Sequence, residues 1–222
     1  DFIERVRKIA RKPVGIKLVI GHPGEIDSIA AKMAENPERG PDFITIDGGE
    51  GGSGAAPMVL ASHAGLPMRQ ALSLVNASLI KHGVRDYVSL FASGKVATPA
   101  EVGVALALGA DAVGIARGFL LSLGCIQSLD CHTGHCPAGI CTQDSNKQKV
   151  IDVEAASERV ATYAKALISE TQMLAASCGY TDPTELTAQD VMVQVEPGRF
   201  EYLGNISVIK DAQEQAAEQT AG

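Results

Sequence analysis

The 222-residue sequence predicts an α/β fold, the C-terminal half of a (β/α)8 barrel followed by C-terminal helices. Three observations carry that reading. Four short apolar runs rich in Val and Ile each end at a glycine-bearing turn, helix-like segments separate them, and the units recur every thirty to forty residues or so. Near-continuous apolar strands alternating with amphipathic helices belong to a parallel sheet whose outer face is covered. The same spacing suits an open, doubly wound sheet. Four units do not close a barrel, and the chain starts inside a helical segment without a Met, so half of a barrel is the expected architecture.

Taken in order, residues 2–10 read as a helix that leads into a first strand at 14–20, ending at Gly21. A helix at 25–35 precedes a second strand at 42–47, which runs into Gly48 and Gly49. A helix at 68–82 and a strand at 87–92 follow, the latter ending at Ser93 and Gly94. Thr98 as N-cap and Pro99 in the first turn open a helix over 99–108. A fourth strand at 112–116 meets Arg117 and Gly118. Residues 153–177 form one long helix, with Val160, Ala164, Leu167 and Leu174 as its apolar stripe. A turn begins at Asp182 and Pro183, and 185–195 reads as another helix. The expected organisation is a half barrel with a cysteine loop over 1–145, a helical extension over 146–210, and a polar, fraying tail over 211–222.

Composition narrows the function classes. With 45% hydrophobic and 20% charged residues the chain is globular. A net charge of −7 repels phosphate backbones, so nucleic acid is not an expected partner. The most apolar stretch, 102–129, is broken by Asp111 and Arg117, and no membrane span is expected. No leader reads at the start of the chain. A half barrel leaves apolar strand edges, so the isolated chain is expected to associate.

Four features carry chemistry. The turn Asp47, Gly48, Gly49, Glu50, Gly51, Gly52, Ser53 follows a strand, and its glycines either admit a flat or phosphorylated ligand or serve the turn itself. The paired strand ends Ser93, Gly94, Lys95 and Gly114, Ala116, Arg117, Gly118 match the loops that hold phosphate in (β/α)8 barrels, and their placement favours Lys95 and Arg117 as phosphate-binding over solvated loop cations. Lys17 lies within an apolar strand, where an ammonium either pairs, faces a cavity or snorkels. Cys125, Cys131, Cys136 and Cys141 form a C-x5-C-x4-C-x4-C run containing four of the five cysteines. Without a secretory context that spacing points to a metal or iron–sulfur site, and zinc would more often show paired C-x2-C spacing. Cys136 followed by Pro137 is also a feature of cluster motifs. His132 and His135 are read as loop residues that shield a cluster ahead of ligands or catalytic acids, His63 as a candidate cap on a substrate pocket, and Cys178 as a small core residue.

These motifs resemble, in order, those of the FMN-binding synthase domain of glutamate synthases, most of all the stand-alone members without a glutaminase domain. The likeness runs over residues 13–195. It implies a (β/α)8 barrel with FMN at the C-terminal strand ends, and a [3Fe-4S] cluster on Cys125, Cys131 and Cys136. Cys141 leaves a [4Fe-4S] cluster open. It further implies Lys17 near the flavin and the 2-oxoglutarate carboxylate, the Asp47 to Ser53 turn beside the flavin, and phosphate on Gly94, Lys95 and 116–118. The implied reaction passes electrons through the cluster to FMN and reduces the imine of 2-oxoglutarate and ammonia, the latter free or glutamine-derived, to L-glutamate. Lys17 and Glu50 are the candidate catalytic residues. No dinucleotide fingerprint is evident, so ferredoxin or a reductase subunit is the expected donor. The N-terminal half of the barrel is a required partner, and the cytoplasm the expected compartment. Rival readings are a flavoprotein acting on another amine or imino acid, a non-catalytic cluster module, and a zinc-stabilised domain.

Overall fold

A computed structural model describes residues 2–50 and 59–205 of the chain. Helix α1 (Phe2–Ala10) leads into β1 (Gly15–Leu18), and α2 (Pro23–Glu35) into β2 (Phe43–Asp47). Then come α3 (Met68–Lys81), β3 (Ser89–Ser93), α4 (Pro99–Ala107), β4 (Ala112–Gly114) and α5 (Arg117–Ser122). A short α6 (Ser145–Gln148), the long α7 (Val153–Ser177) and a hairpin of β5 (Met192–Glu196) and β6 (Arg199–Tyr202) complete the described chain.

The caps show why the helices begin where they do. The Gly24 N–H donates to the His22 ring while the His22 N–H donates to Glu25, so α2 starts two residues before the periodic pattern does. At α4 the expected Thr98 cap forms a capping box: the Glu101 N–H donates to the Thr98 hydroxyl, and Glu101 accepts from the Thr98 N–H.

The four main strands pair in the order β1-β2-β3-β4, all parallel. Strands that are neighbours in both sequence and space, joined by crossovers of one hand, put every connecting helix on the same side. A doubly wound sheet would reverse its order and carry helices on both faces, so the sequential order excludes it. On the covered side Ile44, Ile46, Leu90 and Ala92 are fully buried with Ile26 and Ala30 of α2 and Ala71, Leu72, Val75 and Leu79 of α3. Side chains alternate across a strand, so the intervening residues face the other way. There the register stacks them in layers: Gly15, Phe43 and Ser89, then Lys17, Thr45, Phe91 and Ala112, then Asp47, Ser93 and Gly114. None of these is buried, and Phe43 and Phe91 stack at 5.4 Å on this uncovered face.

Two carboxylates fasten the opposite, N-terminal ends of the strands. Asp42 accepts from the Val14 N–H at 2.6 Å and from Arg7 at 3.0 Å, tying α1 to the entry of β1 and β2. Asp111 accepts from the Leu90 N–H at 2.7 Å and from Arg85 at 2.8 Å, while Arg85 also donates to the carbonyls of Val88 and Gly109.

The extension departs from expectation. Residues 153–177 form the long helix as read, but 185–195 is not a helix. A 3-10 turn at Pro183–Glu185 gives way to a loop, and β5 pairs antiparallel with β6. Val191, Val193 and Val195 alternate at period two, and Pro197 with Gly198, at φ 79°, turns the chain back. Asp190 accepts from the Thr187 N–H and hydroxyl at 2.8 Å, a local turn that competes with helix formation.

The Val14 N–H beside Asp42, with Arg7 adding to it against burial, holds this carboxyl below its ordinary value of 3.8. A lowered pKa contributes stability that is present above the unfolded value and lost as pH falls through the folded one. The melting temperature of Asp42→Ala is therefore expected to lie a few degrees below wild type at neutral pH. The gap closes as the pH drops below about 4, which paired thermal melts across pH will show.

Candidate functional site

At the C-terminal ends of the strands the top layer of the open face gathers several of the candidate residues. The Lys17 ammonium lies 2.7 Å from an Asp47 carboxylate oxygen, Lys17 being well exposed and Asp47 only partly so. The charge in the apolar strand thus finds a carboxylate on the neighbouring strand and faces the uncovered side. Asp47 pairs in register with Ser93, and Ser93 with Gly114. The turns above are sewn together by backbone: the Gly48 N–H donates to the Ser93 carbonyl at 2.7 Å, and the Gly49 N–H to that of Leu66 at 2.8 Å.

Glu50 sits at the start of α3. Pro67 cannot cap that helix with its side chain, and both Glu50 oxygens accept from the Met68 N–H at 3.1 Å. A cleft of about 310 Å3 lies beside it, bordered by Met68, Arg69, Lys95 and Glu101. Lys95, in the left-handed region at φ 49°, donates to the Ser62 hydroxyl at 3.1 Å. A second cleft of similar size lies between α3 and residues 184–188, where Arg85 and Asp111 already pair with each other.

The glycines divide by what they touch. A Cβ on Gly48 would lie 2.8 Å from the Met68 nitrogen, one on Gly49 2.5 Å from the Gly65 carbonyl oxygen, and one on Gly94 2.7 Å from Met68 Cβ. One on Gly118 would fall 2.0 Å from the Tyr163 hydroxyl. These four make room for the protein itself. At Gly114 the nearest atom among the described residues is Ser93 Cβ at 3.6 Å, an ordinary contact. Gly51, Gly52 and Ser53 lie outside the described residues. Ala116 precedes α5 and is exposed, and Arg117, half-buried at its first position, has no hydrogen-bond or ion-pair partner among the described residues.

The cysteine run begins where α5 ends. Cys136 is buried and Cys125, Cys131 and Cys141 are half-buried, with all four as free thiols. The N–H of Cys141, helped by those of Ile140, Ala138 and Gly139, holds the Cys136 thiol below its ordinary range against the effect of burial. Cys141 is pushed up, first by burial, then by the charge of Cys131 and a side-chain hydrogen bond with it, and then by Cys136 and Cys125. Four thiols thus share one locality. No three His, Cys, Asp or Glu side chains among the described residues converge as a single ion would require. A cluster asks something different, because each cysteine binds its own iron and the sulfurs stand farther apart. His63, His132 and His135 are exposed, and so is Cys178, which the sequence reading had packed on its helix.

Residues 1–181 match the family described as a conserved region in glutamate synthase. The chain belongs to the glutamate synthase family. It is 45% identical over 206 residues to the glutamate synthase large subunit-like protein YerD of Bacillus subtilis, covering 93% of this chain and 39% of that protein. It is 38% identical over 184 residues to the archaeal glutamate synthase (NADPH) of Methanocaldococcus jannaschii, covering 81% and 35%. Among solved structures, a mutant flavocytochrome b2 with pyruvate bound superposes with a TM-score of 0.54 at 18% identity, covering 95% of this chain and 39% of that one. That likeness is one of fold, and it identifies the four βα units as part of a (β/α)8 barrel. The chain spans about two fifths of the length of these relatives.

Within this member of the glutamate synthase family the residues present fit both groups the family implies. The open layer and the loops after β3 and β4 offer Lys17, Lys95 and Arg117 to an anionic ligand. Burial and the charges of Cys131, Cys136 and Cys125 hold the Cys141 thiol neutral, an effect that a bound cation would offset. Two contributors escaped the sequence reading. Tyr163 of α7 fills the space left by Gly118, sets its ring edge-on to Phe119 at 5.0 Å, and donates to the Ala97 carbonyl at 2.7 Å. Arg159, four residues earlier, donates to the carbonyls of Ser122 and Leu123. The signal was available for Tyr163, which stands three residues after Val160 and four before Leu167, on the apolar stripe.

Gly118 lies within a helix, where alanine would ordinarily add about 1 kcal/mol of stability. The contact with Tyr163 reverses the sign: Gly118→Ala is expected to cost about 1–3 kcal/mol. Gly114→Ala, whose Cβ meets no atom of the described residues closer than 3.6 Å, is expected to change stability by less than about 0.5 kcal/mol. Denaturant melts of the two variants give the comparison.

Proposed function

We propose that this chain is the C-terminal half of the synthase domain of a glutamate synthase-type oxidoreductase, holding FMN over the open face of its sheet and an iron–sulfur cluster on its cysteine loop. The observation that carries the reading is the polar end of the open face, where Lys17 reaches up to Asp47 and Ser93 in the top layer, together with the cysteine run that begins one short helix later, in which Cys141 feels Cys131, Cys136 and Cys125. The relatives named as glutamate synthases support the reaction class. FMN when bound supplies the hydride chemistry and the cluster a one-electron relay.

The chain's own residues bind and orient. Asp47 holds the Lys17 ammonium at the strand ends, where it presents positive charge to a flavin oxygen or to a 2-oxoglutarate carboxylate. Arg117 and Lys95, on the loops after β4 and β3, neutralise the flavin phosphate, with Gly94 and the 116–118 turn as its backbone cradle. Glu50 fixes the turn after β2 against α3. Cys125, Cys131 and Cys136 ligate a [3Fe-4S] cluster, and Cys141 is available as the fourth ligand of a [4Fe-4S] form. The N–H groups around Cys136 favour the thiolate that iron requires.

The N-terminal half of the barrel closes over Lys17, Thr45, Phe91 and Ala112 and covers the free edges of β1 and β4. Ammonia, free or released from glutamine, condenses with 2-oxoglutarate to the imine that is reduced. Electrons come from ferredoxin or a reductase subunit, and the protein works in the cytoplasm. No helix among the described residues is long and apolar enough to cross a membrane.

The full-length protein purified without oxygen is expected to show flavin bands over a broad cluster shoulder, with FMN, iron and acid-labile sulfide in the same sample. Given 2-oxoglutarate, ammonia and a reductant, it is expected to form glutamate. Lys17→Met should lower kcat/KM for 2-oxoglutarate at least tenfold, as expected when a charge-assisted contact to the substrate is lost. Cys136→Ser should abolish the cluster signal while FMN is retained. A colourless protein carrying zinc or no metal overturns the assignment.

A further inference from the structure

The short helix α5 is held at both ends by one face of α7. At its C-terminal end the backbone closes in a Schellman arrangement: the Cys125 N–H donates to the Leu120 carbonyl at 3.0 Å, the Gly124 N–H to that of Leu121 at 2.9 Å, and Gly124 takes φ 105°. The first cysteine of the run is therefore part of the helix terminus. Arg159 donates to the next two carbonyls, those of Ser122 at 3.0 Å and Leu123 at 3.3 Å. Every carbonyl from Phe119 to Leu123 then has a donor, because the Leu123 N–H and the Ser122 hydroxyl serve Phe119. A cation at this end also suits the helix dipole.

At the N-terminal end Tyr163, one turn along α7 from Arg159, seals against Gly118 and reaches the Ala97 carbonyl at 2.7 Å. Ala97 lies between Lys95 and α4, so a single hydroxyl links the loops after β3 and β4. Burial, with the charge of Glu101, keeps that hydroxyl protonated and donating.

We propose that α5 is a strut clamped by Tyr163 and Arg159, which as positioning residues fix the cysteine loop relative to the loops after β3 and β4. The role rests on the proposed function, in which those two regions hold the cluster and the flavin phosphate. Six residues of helix give a fixed span, and neither end can shift without breaking contacts to the same face of α7. Disturbing one end therefore loosens the other.

The test uses the full-length protein with Tyr163→Phe and Arg159→Gln. Hydrogen exchange of the cofactor-stripped forms is read over the amides of residues 118–125. Each variant is expected to speed exchange across the whole segment by about tenfold or more. Exchange confined to the amides beside the altered side chain overturns the strut. In the loaded protein Arg159→Gln, at the cysteine end, is expected to weaken FMN binding severalfold, and Tyr163→Phe, at the other end, to change the cluster's paramagnetic resonance line shape. If each variant affects its own end alone, the two sites are uncoupled and the proposal is wrong. A wild-type protein lacking flavin and iron would overturn the functional reading instead, while the exchange comparison would still decide the strut.

Discussion

The structure depends on the alternation of side chains along a parallel sheet that is covered on one face only. Ile44, Ile46, Leu90 and Ala92 are fully buried beneath α2 and α3, and burial of such side chains is worth roughly 1.5–3 kcal/mol each for the larger ones. A slip of one residue would expose that whole set to water and turn Asp47 and Ser93 into the core. The register that forms the core therefore also delivers Lys17, Asp47, Ser93 and Gly114 to the opposite face, at the strand ends where (β/α)8 barrels place their chemistry. Folding and site assembly are a single requirement here, with the stability carboxylates Asp42 and Asp111 kept at the other end of the strands.

The cysteine loop poses the opposite problem. It has little regular structure, and burial together with the neighbouring cysteines disfavours ionising Cys141. Two local devices offset this. A Schellman terminus ties Cys125 to α5, and the N–H groups of residues 138–141 turn toward Cys136. Both are built from the backbone of the chain itself. Ser122, the last residue of α5, and Leu123 after it accept from Arg159 of α7, so the start of this loop is joined to the one long helix of the extension.

Much of this was legible in the sequence because it rests on periodicity and on strong local signals. The four strands, the helices over 2–10, 68–81 and 153–177, and the Thr98 box each follow from residues adjacent in the chain. The expected helix over 185–195 gives way to a hairpin because valines at period two run into the Pro197–Gly198 turn beyond that segment. Site residues were less legible wherever their meaning depends on partners far away in sequence. The turn at Gly48 and Gly49 reads equally as ligand space or as a turn on its own terms, and only the fold shows Cβ positions there and at Gly94 running into Met68 and Gly65. Glu50 looked like a candidate acid or base, and its carboxylate serves the start of α3, a helix whose preceding Pro67 gave no hint that it needed an outside acceptor.

The central claim is that the uncovered top layer of the sheet is where the flavin lies. It is tested most directly by the FMN dissociation constant of the full-length protein with Gly114→Leu, compared with wild type by flavin fluorescence titration. A Cβ at Gly114 meets no atom of the described residues closer than 3.6 Å, and the position lies in the layer proposed to face the ligand. The account predicts that flavin binding is lost while the melting temperature of the apoprotein stays unchanged. Wild-type affinity in this variant would show that the flavin lies elsewhere.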